Sequence, residues 1–122
     1  MTVRGVRGAT TAVERTQEAV IEATVELVDA LVAANGINPI DIAAAYFTAS
    51  PDLFVVYPAS AARMNGWDTV PLLSAQEIAV PGGQERCIRI LILWNTDKSQ
   101  TEIKHLYLRE TRDLRKRSGR TL

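Results

Sequence analysis

An arginine stands inside the most apolar run of this 122-residue chain. Residues 87–94 read Cys-Ile-Arg-Ile-Leu-Ile-Leu-Trp, so that every position except Arg89 is apolar. A continuous apolar run of this length is typical of a strand that is covered on both faces. The Arg89 guanidinium cannot lose its charge, and a buried charge without a partner threatens the fold. We therefore expect Arg89 to meet an anion, either a protein carboxylate or a bound substrate.

Length and composition favour one globular domain and give no sign of a metal or membrane protein. Hydrophobic residues make up 47% and charged residues 23% of the chain, which are ordinary values for a soluble protein. No apolar stretch reaches the about 18 residues that a transmembrane helix needs, and the N-terminus lacks the apolar core of a signal peptide. One histidine and the single Cys87 are too few for a zinc site. We predict a cytoplasmic protein without a cofactor, in which Cys87 is a small buried hydrophobe.

Charge is balanced over the whole chain but unevenly placed. Seven of the 14 basic residues fall in residues 104–120, together with only two acids, which leaves the rest of the chain at a net charge of minus five. An acidic body argues against nucleic-acid binding. We predict one domain over residues 1–115, followed by a flexible basic tail over residues 116–122.

The order of predicted elements is β-α-β-α-β-β-β. The clearest element is a helix over residues 16–34, which has an apolar stripe, Thr16 as its cap and Asn35-Gly36 as its stop. A short helix is predicted over residues 58–65, and residues 102–109 hold either a short helix or a last strand. Four other strands are predicted at residues 3–10, 43–50, 70–78 and 87–94, the last of them central.

These elements predict an α/β-type (α+β) domain with a mixed five-stranded sheet and one long helix. One long helix cannot cover both faces of such a sheet. Burial of the open face against other copies of the chain is the simplest solution, so we expect a closed homo-oligomer.

Ten short fragments, in order and over residues 3–115, together carry a family resemblance. The chain resembles the small, monofunctional chorismate mutases of the AroH class, the Bacillus type. Each fragment is weak alone, but their order and spacing make a strong signal. The fragments are Arg4–Thr11, Thr48–Leu53, Pro58-Ala59, Ala62-Arg63, Gly66-Trp67, Val70-Pro71, Gln76-Glu77, Cys87–Arg89, Asn95–Asp97 and His105–Leu108.

The resemblance implies a homotrimer with a pseudo-α/β-barrel core and three active sites between neighbouring subunits. It implies the Claisen rearrangement of chorismate to prephenate, on the route to phenylalanine and tyrosine. This reaction needs no nucleophile, metal or proton transfer, which suits a chain poor in histidine and cysteine. Catalysis would come from holding the reactive conformer and from fixed positive charge at the ether oxygen.

Catalytic roles carry over by resemblance to three residues. Arg7 matches an arginine that binds a substrate carboxylate. Arg89 matches one that hydrogen-bonds the breaking ether oxygen and a carboxylate. Glu77 matches the acceptor for the ring hydroxyl.

Substrate-binding roles carry over in the same way. The resemblance implies that Tyr107 lies near the side-chain carboxylate, Arg63 at the pocket mouth and Tyr57, where the family usually has Phe, against the ring. It also extends to Leu114 and Arg115, which we expect at the substrate. Two departures stand out: Ser74 replaces a usual cysteine near Glu77, and Ser60 replaces a lysine common on the pocket rim. A lost rim lysine would weaken attraction for a dianion without affecting the chemistry.

Other interpretations remain open at this point. From the residues alone, an ion pair between Arg89 and Glu77 that is only structural accounts equally well for the buried charge. A trimeric imine deaminase also places an arginine between subunits, although its C-terminal arginine pattern is not evident here. A trimer that binds small carboxylates without catalysis is the third possibility.

Overall fold

The structure, a computed structural model, describes residues 1–114. A five-stranded mixed sheet has the order β3-β2-β4-β1-β5. Its strands are β1 Thr2–Thr11, β2 Ile42–Ala49, β3 Leu72–Gln76, β4 Cys87–Thr96 and β5 Leu106–Tyr107. The central β4 is antiparallel to β1 and β2, while β1/β5 and β2/β3 are parallel. The predicted mixed sheet and its central strand are confirmed.

The long helix α1, Gln17–Asn35, lies within one residue of its predicted bounds and has the predicted cap and stop. The Thr16 side chain accepts a hydrogen bond from the Ala19 amide at 3.2 Å, which satisfies one of the free amides of the first turn. Gly36 ends the helix with a φ of 71°, a conformation that glycine adopts without strain. A second helix, α2, covers Ala59–Met64.

Helix α1 packs closely on one face of the sheet at Gly8. A Cβ atom at Gly8 would lie 2.7 Å from Leu31 Cδ1 and 3.1 Å from Leu27 Cδ1, so that any other residue here would require these leucine side chains to shift. Val6 and Ile90 are buried on the same face. We call this side, whose members also include Phe47 and Ile92, the helix face.

The other face of the sheet is open in the single chain, so β4, which was predicted to be covered on both sides, is covered here on one side only. Along β4, residues alternate between buried and exposed. The Arg89 side chain is 47% exposed and Leu91 is 37% exposed. We call the side that holds these two residues the open face. The open face is exposed because the helical layer of one chain covers only the opposite side of the sheet.

The remaining elements refine the predicted boundaries. Strand β3 is shorter than the predicted 70–78, and the ambiguous residues 102–109 hold the two-residue strand β5 and no α-helix. Within residues 1–114, no helix is both long and apolar enough to cross a bilayer. Arg115 and the predicted tail over residues 116–122 lie outside the described residues.

Candidate active site

A cavity of about 400 Å³ on the open face brings four of the predicted site residues together. Pairing of β1 with β4 sets Ala9 opposite Arg89 and Arg7 opposite Leu91, so both guanidiniums belong to the same face. Tyr107 pairs with Ala9 from the other side of β1. The cavity is lined by Arg7, Gly8, Tyr46, Thr48, Arg89, Ile90, Leu91, Tyr107 and Leu114.

Arg89 meets a protein carboxylate in the single chain. Its Nε lies 3.2 Å from Glu77 Oε2, and the Thr48 hydroxyl donates a hydrogen bond to the same oxygen. Glu77 follows β3 directly, and its amide donates to the Ala49 carbonyl at 2.9 Å, which fixes the backbone that carries the carboxylate. Within residues 1–114, neither terminal nitrogen of Arg89 has a hydrogen-bond partner. Arg89 therefore keeps donors available for a second acceptor.

Arg7 gives the cavity an excess of positive charge. Its amide donates to His105 Nδ1 at 3.0 Å, which ties β1 to the segment before β5. Arg7 is partly buried, and no carboxylate of residues 1–114 lies within 4 Å of its guanidinium. Two guanidiniums and the single carboxylate of Glu77 leave a net positive site. Such a site favours an anionic ligand that accepts hydrogen bonds in a fork geometry.

Tyr107 and Leu114 form the apolar side of the cavity. Leu114 is buried and clusters with Ala9 and Cys87, and Tyr107 packs against this cluster. The burial predicted for Cys87 is confirmed, since the residue is 3% exposed. An apolar wall beside fixed charges lowers the local dielectric and strengthens the interaction of those charges with a ligand.

Three predicted binding residues lie elsewhere in the chain. Tyr57 and Ser74 line a second cavity of about 390 Å³ with no lining residue in common with the first. Ser74 pairs with the buried Phe47 and accepts a hydrogen bond from the Ala59 amide at 3.3 Å, so it belongs to the helix face. Arg63 is exposed on α2 and lines neither of these two cavities. One chain therefore does not bring these side chains to Arg89.

Thr48 and Tyr46 line the first cavity, although sequence reasoning did not select them. Strand pairing sets Thr48 opposite Arg89 and Tyr46 opposite Leu91. Alternation along β2 indicates that the two share a face, but it does not say which residues of β4 they meet. Only the register supplies that information.

Asp52 stabilises the loop between β2 and α2 and lines, together with Glu77, another cavity that shares Arg89 with the first. Partial burial tends to raise its pKa, but hydrogen bonds from the Ser50 hydroxyl, the Arg86 amide and Arg15 outweigh burial and hold the pKa below its usual value. Ser50 also accepts from the Cys87 amide at 2.8 Å, so this network joins the end of β2 to the start of β4. Among the described residues, no group of three or more His, Cys, Asp or Glu side chains could hold a metal ion.

Comparisons with known proteins agree over nearly the whole chain. The family described as chorismate mutase type I matches residues 3–118. A chorismate mutase AroH of Thermus thermophilus is 51% identical over 114 residues, which is 93% of either chain. The AroH of Bacillus subtilis is 39% identical over 116 residues, covering 94% of this chain and 91% of that protein. A solved chorismate mutase structure from Clostridium thermocellum superposes with a TM-score of 0.86 at 39% identity, over 88% of this chain and 96% of that one.

Proposed function

Since the chain belongs to the type I chorismate mutase family, we propose that it rearranges chorismate to prephenate in sites that two copies of the chain build together. The chain is a chorismate mutase, an isomerase of aromatic amino acid biosynthesis. The assembly, the residue roles and the cytoplasmic location are the parts that we propose. The observation that carries the assembly is that the predicted binding residues divide between separate cavities of one chain, with Arg7 and Arg89 at one and Tyr57 and Ser74 at another.

The proposed chemistry uses position and charge alone. In the rearrangement one C–O bond breaks and one C–C bond forms within the same molecule, so no group leaves and no proton moves. Arg7 binds one carboxylate of the dianion. Arg89 donates to the ether oxygen, where negative charge grows in the transition state, and its pairing with Glu77 fixes its orientation. Glu77 accepts the ring hydroxyl, and Tyr107 and Leu114 hold the compact conformer.

A neighbouring copy would supply the other half of the site. Tyr57 is 72% exposed, and Leu73 on the edge strand β3 is 59% exposed, beside a cavity that is open to solvent. Exposed aromatic and aliphatic side chains at a sheet edge mark a surface that associates. We propose a homotrimer in which Tyr57, Ser74 and Arg63 of one copy face Arg7 and Arg89 of the next. Arg115 remains a predicted contact to the same substrate.

The proposed trimer predicts a mass of about 40 kDa in solution, from 13.4 kDa per chain. Sedimentation equilibrium or light scattering on the purified chain measures this mass directly. We expect turnover to fall in parallel with the trimer fraction on dilution. A folded monomer with undiminished turnover would contradict the shared site.

Loss of chorismate absorbance, followed with the purified chain and no added cofactor, tests the function itself. We expect turnover that is nearly flat between about pH 6 and pH 9, because no step depends on an acid or base. A bell-shaped profile with the trimer intact would indicate general acid–base catalysis and favour an imine deaminase. Binding of chorismate without its loss would identify a carboxylate-binding trimer instead.

A further inference from the structure

Residues 108–114 close one side of the Arg7–Arg89 cavity, and they reach it around the β5 edge of the sheet. Leu108 starts the segment, and its amide donates to the Ala9 carbonyl at 2.9 Å. Leu114 ends it on the open face, where it lines the cavity. Between the two, Thr111 is buried, and two arginines form the side-chain hydrogen bonds that attach the segment to the rest of the molecule.

Arg109 is the stronger of these attachments. Its Nε and Nη2 lie 3.2 and 3.3 Å from the two carboxylate oxygens of Glu26 on α1, and its Nη1 donates to the Thr11 carbonyl at 2.8 Å. Its φ of 53° lies in the left-handed region, which is unfavourable for a residue with a Cβ atom. A two-pronged ion pair and a third hydrogen bond therefore hold a backbone conformation that arginine alone would avoid.

Arg86 forms the second attachment, from the start of β4. Its Nη2 lies 3.0 Å from Glu110 Oε2, and its Nη1 donates to the Ala12 carbonyl. Its φ of 52° is also left-handed. Arg109 thus ties its own position to α1, and Arg86 ties the next residue, Glu110, to the start of β4. Both arginines have a strained backbone, and neither lines the cavity.

We propose that Arg109, held by Glu26, is a positioning residue for the mutase reaction. This inference rests on the proposed function. The Arg109–Glu26 ion pair, which we call the clamp, orders residues 108–114 before substrate arrives, so that Leu114 already lies at the cavity wall. Without it, the substrate must order the segment as it binds, and that entropic cost weakens binding. Once bound, the reacting geometry is the same, so the effect falls on KM and not on kcat.

The test compares Glu26→Ala with Glu22→Ala, which removes the same charge from an exposed position one turn earlier on α1. Glu26→Ala should raise KM for chorismate by about two- to fivefold and leave kcat within about twofold, as expected for a partly exposed bidentate pair. Glu22→Ala should match the wild type in both constants. Trimer mass and melting temperature are measured on each variant.

Arg109→Gly separates the clamp from the backbone strain, because glycine accepts the left-handed conformation. It should raise KM as Glu26→Ala does, without a lower melting temperature. The KM of Arg109→Lys should lie between those of Arg109→Gly and the wild type. If Glu26→Ala does not fold, Glu26→Gln keeps the shape and should still raise KM. Equal KM values for the Glu26 and Glu22 variants, or a fall in kcat alone, would overturn the inference. Wild-type turnover in the same assay decides the proposed function separately.

Discussion

Replacement of Arg89 by alanine is expected to lower kcat by about 10²- to 10³-fold, with a much smaller change in KM. Arg89 carries a permanent charge beside an apolar wall, and its terminal nitrogens have no hydrogen-bond partner among residues 1–114. Removal of one preorganised donor to a developing negative charge costs about 2.7–4 kcal/mol of transition-state stabilisation. The loss falls on kcat because the ether oxygen gains its charge only in the transition state.

Steady-state kinetics on the purified variants measure this effect. Arg4→Ala is the matched control, since Arg4 also lies on a strand of the sheet but donates to the Lys98 carbonyl and does not line the cavity. Arg89→Lys should recover only part of the rate, because an ammonium keeps the charge and loses the planar fork. Citrulline at position 89 keeps the shape and loses the charge. Near-normal turnover with citrulline would refute fixed charge as the origin of the rate.

Replacement of Ser74 by aspartate should lower kcat/KM by about two orders of magnitude, the second largest effect that we expect. The substrate is a dianion, and a carboxylate at this position would repel it, since apposed like charges cost several kcal/mol. The fold should tolerate the change, because an aspartate oxygen can still accept from the Ala59 amide.

Ser74→Ala is the control for the lost hydroxyl and should change kcat/KM by less than about tenfold, the scale of one neutral hydrogen bond. The two variants are compared by progress curves at low substrate, with the trimer mass measured in parallel. Wild-type kcat/KM for Ser74→Asp would show that the Tyr57–Ser74 cavity is not part of the site.

Local signals in the sequence predicted the elements of the fold with good accuracy. Thr16 and Gly36 bound the long helix because a side-chain cap and a left-handed glycine act within one helical turn. The apolar run around Arg89 correctly indicated a central strand. It did not indicate that one face of this strand is open in the single chain. The sequence does not distinguish an apolar side chain that packs against helix α1 from one that packs against a partner subunit.

The site was predicted less completely, and strand register explains most of the gap. Arg89 was selected from its apolar surroundings, whereas Arg7, Glu77 and Tyr107 came from the family resemblance. The described structure places Arg7, Arg89 and Tyr107 around one cavity. Thr48 joins the Arg89–Glu77 pair only through the pairing of β2 with β4, which depends on contacts distant in sequence. The separation of Ser74 from Arg89 has the same origin, since it depends on the face that each side chain occupies.

Mixed trimers of Arg89→Ala and Ser74→Asp test the shared site most directly. Each variant alone should be nearly inactive, because every site lacks one half. After the two are unfolded together and refolded at equal concentration, random assembly should restore about a quarter of the sites, those that combine Arg89 of one copy with Ser74 of the next. We therefore expect about a quarter of wild-type turnover at the wild-type KM. Mass measurement first demonstrates that mixed trimers have formed. If the activity then stays at the mean of the two parent variants, a site built from two copies is contradicted.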